Sequence, residues 1–186
     1  MIIYLPTMAK RNVVIYPHEV LKKPTKKVED INDNIIQIIR DMWDTMYEDD
    51  GVGLACNQIG EPLSIVVIDT SVKEGVEPVK LTLINPEIIA SEGKQVYKEA
   101  CLSVPGVAAE VERAYWVKVK ALTPQGQEEI FEFEGFPAVV VQHELDHLQG
   151  KVFLDRLKGI KKRLTLEKYK KILRQIERMK KEKETV

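Results

Sequence analysis

The sequence predicts an α+β fold, and three observations carry that reading. Strand-like apolar runs gather between residues 63 and 135, helical periodicities stand on either side of them, and no regular strand–helix–strand alternation runs along the chain. The implied architecture is a set of mostly antiparallel strands packed around a central helix, with one helix N-terminal to it and a long basic helix at the C-terminal end.

Each element has its own signal. "INDNIIQIIRDMWDTMYEDDG" (31–51) reads as the first helix: Asn32 or Asp33 can cap it, Ile35, Ile39, Met42 and Met46 recur at helical spacing, and Gly51 ends it. The runs "LSIVVID", "LTLIN", "WVKVKAL" and "EEIFEFEG" read as strands. "TPQG" (123–126) separates the last two, and a Pro-then-Gly turn there predicts a hairpin. "PAVVVQHELDHLQG" (137–150) is the central helix, with Pro137 suited to its first turn and Gly150 to its end. Over residues 158–186, Leu164, Leu166, Tyr169, Ile172, Leu173 and Ile176 form the apolar stripe of the C-terminal helix.

Length and composition set the bounds. A chain of 186 residues, 44% apolar and 31% charged, is expected to form one domain over 1–186. No apolar run is long enough to span a membrane. "MIIYLPT" is too short for the apolar part of a signal peptide and has its charges, Lys10 and Arg11, on the wrong side; Met8 is a candidate true start, with residues 1–10 flexible or upstream of it. Cys56 and Cys101 are therefore expected to be reduced, and the protein cytoplasmic. Neither a membrane nor specific DNA recognition is expected as a partner. The net charge of −1 conceals a division: residues 158–186 carry a balance of +8 and the rest of the chain −9. Such a run is either a solvated helix face or a docking surface for a polyanion.

The chemistry starts from "QHELDHLQG" (142–150). On a helix His143 and His147 lie one turn apart on one face and can share a metal ion, while Glu144 points away from that ligand set yet can reach a water at the metal. A chance pattern on an amphipathic helix is the competing account. It is the weaker one, because two histidines and two acids that continue the buried run "AVVV" need partners. A third ligand is required. Extension to the H-E-x-x-H-x-x-G-x-x-H pattern would place it at 153, which is Phe153. Glu167 stands at the spacing of another zinc-protease arrangement, though among lysines that suit a solvated residue, and His18 sits in the Pro-containing turn "YPHEV". Cys101, in "YKEACLSVPG" at the end of a strand-like run and before a Pro-Gly turn, is the stronger candidate. One thiolate and two imidazoles leave a fourth position open, as hydrolysis requires.

"GVGLACNQIG" (51–60), "EACLSVPG" (99–106) and "QHELDHLQG", in that order, resemble the three motifs of the peptide deformylases, and the similarity runs from about Val14 through the last of them. The resemblance implies a hydrolase that removes the N-formyl group from the formylmethionine of newly made polypeptides. It implies Cys101, His143 and His147 as metal ligands, Glu144 as base, and Gln58 with the backbone N–H of Leu102 as donors to the developing oxyanion. It further implies that Val52, Gly53 and Ala100 pair with the peptide backbone, that Val139 and Val140 line the methionine pocket, and that Glu99 and Arg113 pair near the site. One divalent ion is expected, natively ferrous iron, with zinc, nickel or cobalt as substitutes. The ribosome is an expected partner of the basic C-terminal helix. Two positions depart from the family pattern: Cys56 replaces an alanine and so rivals Cys101 as metal thiolate, and Ala100 replaces a glycine and must keep an ordinary φ. A zinc endopeptidase using Glu167 and a non-catalytic ribosome-associated protein are the alternatives.

Overall fold

A computed structural model describes residues 10–184. The chain runs α1 (Asp33–Glu48), β1 (Gly53–Ala55), β2 (Ile65–Asp69), β3 (Lys80–Glu92), β4 (Gln95–Cys101), β5 (Val104–Arg113), β6 (Trp116–Leu122), β7 (Glu128–Glu134), α2 (Phe136–Leu148) and α3 (Gly159–Glu184). The expectation of a start at Met8 lies outside the described residues. Of the stretch 1–10 only Lys10 is described, and it pairs with Asp49. Among the described residues no helix is long and apolar enough to cross a membrane.

Five strands form one antiparallel sheet in the order β1-β2-β3-β6-β7, and β4 and β5 form a separate antiparallel pair. β2 shows why its sequence is apolar throughout. Its five residues are all buried, because Ile65 and Val67 face α1 while Val66 and Ile68 face α2. The α1 stripe of Ile35, Ile39, Met42 and Met46 packs on the first side. Ala138, Val140, Val141 and Leu145 of α2 pack on the second, so the central helix is buried against β1, β2 and β7. A third apolar cluster joins β5 to Phe153, Leu154, Leu157 and Tyr169, and it docks α3.

Local signals act largely as the sequence predicts. The Asn32 side chain accepts the Ile35 N–H at 3.1 Å and caps α1. The 123–126 turn closes with Gly126 N–H donating to Thr123 C=O at 2.8 Å, and β6 pairs with β7 through it. Three expectations need correction. First, α1 ends at Glu48, and Asp50, with φ 54°, makes the left-handed turn instead of Gly51. Second, Pro105 and Gly106 are not a turn. The turn is at Leu102 and Ser103, with Cys101 paired to Val104, and the two residues lie inside β5. Gly106 has φ 79°, and a Cβ there would stand 2.6 Å from Ile172 Cδ1, so this glycine admits α3. Third, Leu164 is 56% exposed, whereas Leu166, Ile172 and Leu173 pack on the Tyr169 cluster. Five residues at about 100° each put Leu164 roughly 140° round the helix from Tyr169.

Candidate metal centre

Cys101 closes β4, and the turn after it brings its sulfur over α2. Sγ lies 3.3 Å from His147 Nε2, which lies 3.3 Å from His143 Nε2, and the three donor atoms fall within 4.8 Å of one another. Two nitrogens about 2.0 Å from one tetrahedral centre would stand about 3.3 Å apart. The donors, one thiol and two imidazoles, suit zinc or ferrous iron. The set therefore fits a divalent metal ion.

The imidazoles are prepared differently. His143 Nδ1 lies 2.8 Å from Glu99 Oε2, so an N–H there donates to the carboxylate and Nε2 is turned to the cluster. Burial lowers the His143 pKa, but hydrogen bonds to Cys101 and Glu99 outweigh it and hold it well above the ordinary value. A metal held here would need the neutral imidazole, so its binding would release that proton. Burial, reinforced by the charge on His143, holds His147 well below the ordinary value. Phe153, where another metalloprotease pattern has its third histidine, stacks instead on the His143 ring with centroids 6.4 Å apart.

Glu144 is buried, and its Oε2 has no partner among the described residues. Burial pushes its carboxyl up to about 7; Glu99 and Asp146 add to the push while His143 and Arg113 oppose it. A carboxylate poised near neutrality is matched to moving a proton at physiological pH. Its other oxygen lies over Gly53, where an added Cβ would come within 2.5 Å of Oε1. Gln58 is held by Oε1, which accepts the Ala55 N–H at 2.9 Å. Its Nε2 is left 3.1 Å from Ser103 Oγ and 3.6 Å from Cys101 Sγ.

Cys101, His143, Glu144 and Gln58 border one cleft of about 340 Å³, while His147 is fully buried and does not line it. Val52, Gly53, Gln58, Ala100, Cys101, Leu102, Val139, Val140, His143 and Glu144 all line it. So do Tyr97, Phe136 and Lys98, which sequence reasoning did not single out. The other candidates lie elsewhere. Glu167 is exposed on α3, and His18 is exposed and caps the 3-10 turn Glu19–Lys22. Cys56 is buried among the α1 side chains, where burial pushes its thiol up to about 12, so it stays a packing residue. Ala100 is not among the residues with positive φ.

Glu99 and Arg113 do pair, through two bonds of 2.7 and 2.9 Å. The residues beyond them were not anticipated. Asp146 accepts from Arg113 at 2.6 Å and from Arg156 at 2.9 Å. Asn57 Nδ2 donates to the His147 carbonyl at 2.7 Å, and Gln142 bonds both backbone groups of Ala114. The only sequence signal was the presence of charge on a buried helix, which marks Asp146 as needing a partner without saying which.

Comparison with known proteins places the chain and its fold in one family. The family model described as polypeptide deformylase matches residues 10–163. A peptide deformylase of Aquifex aeolicus is 60% identical over 164 residues, 88% of this chain and 97% of that protein. The crystal structure of a peptide deformylase from Legionella pneumophila superposes with a TM-score of 0.83 at 40% identity, covering 91% of this chain and 99% of that one. A peptide deformylase from Acinetobacter baumannii, solved with Met-Ala-Ser bound, gives a TM-score of 0.77 at 33% identity over 81% of this chain and 99% of that one.

Proposed function

Since the chain belongs to the polypeptide deformylase family, we propose that Cys101, His143 and His147 hold its metal ion and that Glu144 is its catalytic base. The protein is a metal-dependent hydrolase that removes the formyl group from newly synthesised polypeptides. A divalent ion held by those three residues supplies a Lewis acid for the formyl carbonyl and lowers the pKa of water toward about 7. Glu144 accepts the proton of the attacking water and returns it to the departing amine. The Gln58 amide, fixed through its oxygen, and the Leu102 backbone N–H donate to the formyl oxygen as it gains charge. The observation that carries the reading is the buried Glu144 carboxylate, whose Oε2 has no partner among the described residues, beside the Cys–His–His donor set.

The substrate lies between two strand edges. β1 and β4 each pair on one side only, and both border the cleft, so an extended peptide can add to their open edges through Val52, Gly53 and Ala100. Val139 and Val140 offer an apolar wall to the methionine side chain. A homologue has been crystallised with Met-Ala-Ser bound, which supports a peptide beginning with methionine as the ligand class. The native metal is ferrous iron, which the thiolate suits, with zinc, nickel or cobalt as substitutes. The enzyme acts in the cytoplasm, where the basic α3 meets the phosphate-rich ribosome surface.

The test is metal analysis of anaerobically purified protein together with hydrolysis of a formyl-methionyl peptide. Glu144→Gln keeps the shape and removes the base, so metal content stays at one ion per chain while turnover collapses. Full turnover in that variant, or wild-type protein without a transition metal, would overturn the assignment.

A further inference from the structure

A line of charge runs from His143 to the surface. His143 meets Glu99, Glu99 takes two bonds from Arg113, Arg113 reaches Asp146, and Asp146 is gripped from outside by Arg156. The first four are buried, while the Arg156 side chain is 45% exposed and borders a surface groove with Glu110 and Lys161. We propose that Arg156 is a positioning residue for the metal centre, acting on His143 through Asp146, Arg113 and Glu99. This rests on the reading of His143 as a metal ligand.

The argument is one of charge and valence. Glu99 and Asp146 are two buried carboxylates, and between them lies one buried guanidinium, Arg113. Arg156 supplies the second positive charge. Its Nε and Nη2 fork onto the two oxygens of Asp146, and Oδ1 has Arg156 as its partner. Arg113 can then spend two nitrogens on Glu99 and only one on Asp146. Without Arg156, Asp146 keeps an uncompensated buried charge. Arg113 is drawn toward it, the two-bond grip on Glu99 loosens, and the carboxylate that orients His143 Nδ1 is released. Partners behind a metal-bound histidine fix its ring and tautomer. A lysine keeps the charge but lacks the planar fork.

A second contact comes from the same segment. The 3-10 turn Phe153–Arg156 holds Phe153 against the face of the His143 ring at one end and Arg156 on Asp146 at the other. Its own geometry is fixed by Asp155, whose carboxylate accepts the Val152 N–H at 2.9 Å. Four residues thus brace one imidazole both on its face and through its Nδ1.

The test uses the full chain loaded with cobalt. Release of the ion to excess chelator is followed by loss of the thiolate-to-cobalt absorption band, alongside kcat, KM and thermal melting. Arg156→Gln should release cobalt about 10-fold faster, the low end for loss of such a partner, and should lower kcat more than it raises KM. Arg156→Lys should recover only part of this. In an Asp146→Asn background, Arg156→Gln should add nothing. Wild-type release and kcat in Arg156→Gln, even with a lowered melting point, would reduce Arg156 to a strut and overturn the proposal. An undiminished effect in the Asp146→Asn background would overturn the route through Asp146. Should Arg156→Gln not fold, wild-type release from Arg156→Lys overturns it. Wild-type protein that takes up no cobalt would refute the metal-site reading instead, so the two failures are distinct.

Discussion

Replacing Gly53 with alanine tests the placement of Glu144 without touching a metal ligand. A Cβ at this position would stand 2.5 Å from Glu144 Oε1 and 2.9 Å from Val140 Cγ1, against 3.4 Å or more for ordinary contact. The strand cannot yield, because Gly53, Leu54 and Ala55 are in register with Ile68, Val67 and Val66, and Leu54 and Ala55 are fully buried. The carboxylate must therefore move by roughly 1 Å, a misplacement that costs on the order of 10²-fold in rate. The fold should tolerate the change: overpacking costs about 1–3 kcal/mol, and relief of glycine's backbone entropy in a strand offsets roughly 0.5–1 kcal/mol of it. Gly53→Ala is expected to keep its metal, to melt near the wild-type temperature and to lose about 10²-fold in kcat. The assay is steady-state hydrolysis of a formyl-methionyl tripeptide beside metal analysis and a thermal melt. Wild-type kcat would refute the reasoning. So would a rise confined to KM, which would assign this glycine to peptide docking alone.

Three further outcomes follow from the same geometry. Cys101→Ser should strip the metal or weaken its binding severely, while Cys56→Ala, in the α1 cluster, and Glu167→Ala, on the exposed face of α3, should keep it; metal analysis of the three variants decides, and the reverse pattern refutes the ligand set. Burial raises the Glu144 carboxyl to about 7, and its working form as a base is the carboxylate, so kcat/KM should fall as pH drops through its pKa. A cation held nearby favours the carboxylate and moves this limb below about 7; a profile flat from about pH 5 to about pH 8 would refute Glu144 as the titrating base. Trimming the chain after Glu177 should leave hydrolysis of short formyl peptides intact and weaken co-sedimentation with ribosomes, and binding by the full chain should fall steeply with salt; salt-independent binding would refute an electrostatic anchor.

What the sequence disclosed and what it hid divide by the range over which each signal acts. α1, α2 and the β6–β7 hairpin were legible because a 3.6-residue period, a capping asparagine and a Pro-Gly turn are local. The second half of β3 and the whole of β5 were not, because their markers usually break strands. Pro86 sits at a register shift between Ile84 and Glu87, beside Asn85 with φ 51°, and so causes a bulge inside β3. Pro105 and Gly106 sit in β5 where α3 needs close approach. The same division runs through the site. His143, Glu144 and His147 are set by one turn of helix, so a short motif reveals them, and Cys101 came into view as a thiol beside a strand end. The residues that orient those groups answer to no spacing. Arg156 meets Asp146 ten residues away, and Asn57 meets the His147 carbonyl ninety residues away. An arginine or asparagine reads alike in sequence whether solvated or buried. What separates them is whether a carboxylate or carbonyl is already waiting, and only the tertiary fold decides that. The candidate ligands of such a centre are therefore legible before the fold is known, while the network that holds their geometry appears only once β4, β5 and α2 are brought together.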